Sequence, residues 1–291
     1  VAAQLITDEN LVILYNGPAK EGSVIPTEEE VRNVIATVKN VEIQANVEEN
    51  INEPLISGQL KGAKVKKSAE TVYGATEWTL KNGLKVIIKQ TPYEADAIYL
   101  EAVSEGGAAI FADEDYYSAQ MLGGVISMSG ISKFSASDLR KQLSGKSAST
   151  SVSPDDYTTT IVGNGSPKDL ETIMQLLYLR FTAPRFSEDD FKATMSQYIS
   201  YVENLKSNPD FKASSEQLKS LYNNHYRRQQ ISTEVLNSIK YERLEPIYRS
   251  LTANAANFTV YIVGNVDLAT LKPLVEKYIG SLPAKKRKIT K

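Results

Sequence analysis

One short pattern stands near both ends of the 291-residue chain: an apolar strand, a glycine-bearing turn, then a capped amphipathic helix. Near the start, Leu11 to Tyr15 reads as a strand, Asn16-Gly17-Pro18 as its turn, and Thr27 with Glu30 as a capping box opening a helix through about Val38. Near the end, Phe258 to Val263 is a second such strand, Gly264-Asn265 its turn, and Asp267 to Tyr278 a helix with Leu268, Leu271, Leu274 and Val275 on one face. A closing unit that recurs implies the tail of one domain copy followed by a whole copy. The boundaries expected are residues 1–40 for the tail, 41–70 for a linker and 71–291 for the complete copy. The linker assignment rests on mixed charge, Pro54, Gly58 and Gly62, and the lack of any sustained period.

Within the complete copy, Trp78 to Leu80 and Leu84 to Lys89 flank Asn82-Gly83, a strong hairpin signal. A third strand over 97–103 ends at Gly106-Gly107 and leads to a helix from Asp113 to about Ile126. A further helix is expected over 135–143, strands over 148–152 and 157–162, a helix start at Pro167, and a long helix from Ser187. The fold class read from this order is α+β: an antiparallel or mixed sheet, with the strands running as a meander and helices grouped beside it.

Composition narrows the chemistry. The chain has one histidine, His225, and no cysteine, so a zinc site, which needs about three protein ligands, would have to be built almost wholly from carboxylates. Thirty-three basic and 35 acidic residues leave a net charge of −2, which gives no global attraction for nucleic acid or an anionic membrane. No apolar run reaches the roughly 20 residues of a membrane span. The residues from Val1 lack the charged and apolar regions of an export signal, and the chain reads as a piece of something longer. Lys285 to Lys288 is the one basic run and reads as a solvated linker.

Candidate motifs fall short. Gly163-Asn164-Gly165 has Lys168 where a dinucleotide fingerprint needs its third glycine, and reads as a strand-to-helix turn using glycine's positive φ. Gly145-Lys146-Ser147 lacks the first glycine of a phosphate loop and reads as helix C-capping. The acid clusters Asp113-Glu114-Asp115, Asp155-Asp156 and Asp189-Asp190 read as capping, two of them in first helical turns where negative charge complements the dipole. Phe191, Tyr198 and Tyr201 are expected to form a packing stripe on the long helix, and His225 a hydrogen-bonded structural role.

The hairpin Trp78 to Val86, Gly106-Gly107, the run Asn257 to Asp267 and the run Lys277 to Pro283 together resemble the insulinase/pitrilysin family of zinc peptidases. The resemblance covers essentially the whole chain and is greatest to long bacterial members, in which four similar domains form a clamshell around an unfolded peptide. Catalytic copies carry an inverted H-x-x-E-H motif on the first helix after the third strand. The corresponding stretch here, Asp115 to Val125, has neither His nor Glu. The resemblance therefore implies a non-catalytic third domain with its preceding linker, with no catalytic or metal residue, and with substrate-binding residues unknown. It implies no cofactor in this chain and zinc in the catalytic domain of a longer parent. The partners implied are the parent's other domains and unfolded peptides, with no nucleic acid and no membrane span. A periplasmic location follows by analogy, a cytoplasmic one being the alternative. A catalytically inert assembly scaffold is the competing function, and H-x-x-E-H elsewhere in the parent would separate the two.

Overall fold

The computed structural model describes residues 12–17, 24–42 and 53–285, in two compact units divided between residues 49 and 50. In the first unit, helix α1 (Glu28–Lys39) starts at the expected capping box: Thr27 N donates to Glu30 Oε2 at 2.7 Å, and Glu30 N donates back to Thr27 Oγ1 at 3.3 Å. Residues 12–15 of the expected first strand are exposed and form no strand among the described residues, and Leu11 lies outside them.

The second unit is built on a seven-stranded mixed sheet: β1 (Val65–Glu70), β2 (Thr76–Leu80), β3 (Lys85–Gln90), β4 (Ile98–Glu105), β5 (Ala148–Pro154), β6 (Thr158–Gly165) and β7 (Thr259–Gly264). The spatial order is β1-β2-β3-β7-β4-β6-β5. The strands are thus not a simple meander. The last strand enters between β3 and β4, parallel to β3 with Ile87 opposite Tyr261, and antiparallel to β4 with Glu101 opposite the same Tyr261. Burial explains the placement, since Val260 and Ile262 of β7 have no exposed surface and a central position is the one that covers them.

Helices α2 (Asp113–Ser129), α3 (Ala136–Gln142), α4 (Leu170–Thr182), α5 (Glu188–Leu205), α6 (Pro209–Leu221), α7 (Thr233–Ser238), α8 (Tyr241–Thr252) and α9 (Leu268–Tyr278) complete the unit. Inward strand positions such as Trp78, Val86, Ile88, Leu100, Ile161 and Ile262 share one core with Leu122, Ile173, Leu177, Ile247 and Leu271 from the helices. Alternate strand positions, among them Tyr99, Glu101, Val162, Tyr261 and Val263, are exposed. The sheet therefore buries one face and leaves the other open, the period-2 consequence of a two-layer fold.

Three local readings need correction. Residues 53–70, read as linker, join the second unit: Leu55 is buried beside Ile131 and Phe134, and 65–70 form β1. Gly163 to Gly165 lie inside β6, not in a turn, and neither glycine has positive φ; Gly163 lies against Ile173, and the turn begins at Ser166-Pro167. Tyr201 is exposed, because the buried stripe of α5 runs through Met195 and Val202 with Phe191 and Tyr198 beside it, and Tyr201 falls about 110° off the Met195–Val202 line at 100° per residue.

Candidate functional site

The helix that follows β4 and Gly106-Gly107 is where the family resemblance would place catalysis, and its first two turns are packed with polar contacts. Asp115 is buried, and its carboxylate takes both arms of Arg243 from α8, with Nε donating to Oδ1 at 2.9 Å and Nη2 to Oδ2. The Arg243 hydrogen bond holds this carboxyl below the usual carboxylate range against the opposing effect of burial. Asp113, two residues earlier, points elsewhere and accepts from Arg227 Nε at 2.7 Å.

Tyr116 is fully buried. Its hydroxyl donates to Asp156 Oδ1 at 2.6 Å, while Gln120 Nε2 donates to the same Asp156 oxygen and to the Tyr116 hydroxyl, both at 2.9 Å. The other Asp156 oxygen pairs with Arg228 at 2.9 Å. The Arg227 guanidinium lies 4.7 Å from the centre of the Tyr116 ring, a cation–π contact, and donates to the carbonyls of Ala109 and Phe111. Burial first, and the Asp156 carboxylate second, push the Tyr116 hydroxyl's pKa upward. Tyr117 packs edge-on against Tyr116 and Tyr226, with centroids 5.1 and 5.0 Å apart, and its hydroxyl donates to the Tyr226 carbonyl. Two consecutive tyrosines thus use opposite partners to fix α2 to the 226–228 turn.

His225 caps that turn. Its Nδ1 accepts from Arg227 N at 3.2 Å, which orients the arginine pair, while the residue itself is exposed. The structural role expected of His225 is the one observed. Of the acid clusters, Asp155 closes the β5–β6 turn: burial pushes its carboxyl up, but the N–H groups of Thr158 and Tyr157 and the Thr158 hydroxyl outweigh it and hold it low. Asp190 pairs with Arg185 at 3.0 Å in the first turn of α5. Asp113 and Asp115 do more than cap, since each binds an arginine more than 100 positions away in sequence. The expectation for Gly145 holds in outline: it follows α3 with φ 76°.

Sequence reasoning did not find Arg227, Arg228 or Arg243 as the partners of these acids. The one available signal was the arginine pair beside the only histidine, and nothing in its spacing indicates α2.

Residues 238–291 match the peptidase M16 inactive domain. A PQQL-like zinc protease of Arabidopsis thaliana is 25% identical over 263 residues, covering 88% of this chain and 25% of that protein. This chain is similar to M16 peptidases over most of its length. Among solved structures, the periplasmic protease PqqL from Escherichia coli shares the fold at TM-score 0.72 and 20% identity, over 91% of this chain and 29% of that one. A peptidase M16 inactive domain from Pseudomonas fluorescens does so at TM-score 0.58 and 17% identity, over 74% of this chain and 53% of that one. The chain spans about a quarter of the length of the curated relatives it matches, at 25%, 22% and 24%.

The zinc of M16 proteases can be tested against these residues. Among the described residues no three His, Cys, Asp or Glu side chains converge as a ligand set. Asp113 and Asp115 of α2 and Asp156 of the β5–β6 turn are already held by Arg227, Arg243 and Arg228, so a divalent cation placed among them would meet guanidinium groups. The residues present do not fit the metal.

Proposed function

We propose that this chain is a non-catalytic segment of a larger zinc-dependent metallopeptidase, and that it forms part of the wall of a peptide-holding chamber opposite a zinc site carried elsewhere in the parent. One observation carries the reading: at the helix where a catalytic copy needs metal ligands, this copy has buried Tyr116 and Tyr117, with Asp115 and Asp156 bound to arginines. That arrangement binds elements together and offers no open coordination position. Residues 1–40 are then the closing strand and helix of a preceding copy, and the parent's other domains are the partners. The name of the Escherichia coli neighbour supports a periplasmic location. No helix among the described residues is long and apolar enough to cross a membrane.

The parent protein supplies the test. Deleting residues 53–285 should lower hydrolysis of an unfolded peptide while bound zinc, measured by atomic emission, stays stoichiometric. Undiminished hydrolysis after the deletion would refute the chamber role, and loss of the zinc would place ligands in this chain.

A further inference from the structure

The two edges of the sheet are finished differently. On the β5 side, the pairing of Ser147 with Ser166, whose N–H donates at 2.9 Å to the Ser147 carbonyl, sets the ladder so that Thr150 and Val152 turn their backbone polar groups outward. Both carbonyls are covered. Thr150 O accepts from Arg180 Nη2 at 2.9 Å, and Val152 O abuts the backbone of α2 at Gly123. Nothing can add there without displacing α2.

The β1 edge is uncovered. Thr71 N donates to Ala75 O at 2.7 Å, which places the bonded positions of β1 at odd numbers and turns the N–H and C=O of Ser68 and Glu70 away from β2. Val65 N faces outward too, but is taken by buried Glu276 at 3.0 Å. From Lys66 to Glu70 every residue is exposed. The edge is also basic. Lys61, Lys66, Lys67 and Lys81, whose N–H bonds the Lys64 carbonyl at 3.0 Å, have no ion-pair partner among the described residues. Lys64 is paired with Glu276, and Glu70 is the single acid on the strand. Beyond it, Val72 and Tyr73 are 92% and 84% exposed on a turn clamped by Lys89 Nζ, which donates to the Tyr73 carbonyl at 2.8 Å.

We infer that β1 is a docking edge for an extended acidic segment, which adds as an eighth strand through the outward groups of Ser68 and Glu70. Strand addition supplies backbone hydrogen bonds, and alternate side chains supply selectivity. Charge selects the occupant: a lysine-bearing edge repels a second copy of itself and attracts carboxylates. The exposed Val72-Tyr73 pair gives an apolar residue of the same segment a place to settle. The inference stands apart from the peptidase reading, since binding requires no catalysis.

The test uses the 291-residue chain and a fluorescein-labelled peptide alternating Asp with Val and Tyr, followed by anisotropy at low salt. Saturable binding is expected, weakened about tenfold or more by Lys66→Glu with Lys67→Glu and by raised salt. Ser68→Pro removes an outward N–H and no ladder bond, so it should preserve near-ultraviolet circular dichroism and weaken binding by a similar factor. A peptide N-methylated on alternate amides checks the same bond on the unaltered protein, should Ser68→Pro disturb folding. Absence of saturable binding, equal binding of the N-methylated peptide or of a Lys-for-Asp peptide, or chain dimers that the peptide leaves intact would each overturn the inference.

Discussion

Asp115 shows how a single charged residue in this fold serves structure. It lies in the first turn of α2, where negative charge complements the helix dipole, and it is bound by Arg243 from α8. Its carboxyl is held below the usual range in the folded chain, so the unfolded chain binds the proton more readily. The pair's stabilisation is therefore complete above about pH 4, the ordinary carboxylate value, and is lost as pH falls through the lower folded value. Asp115→Asn should cost about 1–2 kcal/mol at pH 7, a figure kept low because Arg243 stands half in water. The cost should shrink toward zero once pH has fallen below the folded value. Urea unfolding followed by the single tryptophan, buried Trp78, measures both values. An equal deficit at the two pH values would mean that Asn disturbs packing and that the charge is incidental.

The elements differ in how far local sequence specifies them. Helices opened by Ser135, Ser187 and Asp267 begin where their caps announce them, because the side-chain oxygen that accepts the free N–H is a neighbour in the chain. The Asn82-Gly83 hairpin is legible for the same reason, with Gly83 at φ 92°. What was not legible is non-local. β1 is mostly polar, with Val65 and Ala69 its only apolar residues, and is exposed from Lys66 to Glu70, so it lacks the alternation that marks a half-buried strand, and β7 pairs with β3 across some 170 residues. The arginine partners of α2 are hidden likewise, since an ion pair over 114 or 128 positions leaves no periodic trace. One such contact is sharp enough to test: a Cβ on Gly123 would overlap the Val152 carbonyl, and both sides are backbone. Alanine's better helix propensity is worth only about 1 kcal/mol, and α2 would have to lift off β5, so Gly123→Ala should destabilise by a net of roughly 1–3 kcal/mol. Gly58→Ala, with nothing near its added carbon, should stay within about 0.5 kcal/mol. A neutral Gly123→Ala in denaturant titration would show that the helix–edge contact is looser than drawn.

At the scale of the whole molecule, the apolar positions that the sequence repeats near both ends take two different environments. In the second unit its apolar positions are sealed: Val260, Ile262, Leu271 and Val275 have no exposed surface. In the first, Val12 is 79% and Leu14 92% exposed, and Val34 and Val38 of α1 are 62% and 53% exposed. Apolar burial stabilises by about 25 cal/mol per Å², so side chains this open add little to the stability of what is present. Removing residues 1–52 should therefore leave the cooperative unfolding of the second unit, read from Trp78, within about 2 °C of the full chain. It should also reduce binding of an apolar dye such as ANS, because it removes several exposed apolar side chains. A fall of more than about 4 °C would instead mean that the first unit contributes to the core of the second, and that exposed apolar area misjudges its role. Unchanged melting with lower dye binding would fit a piece whose apolar face is meant for another part of a longer protein, as the quarter-length match to its relatives leads one to expect.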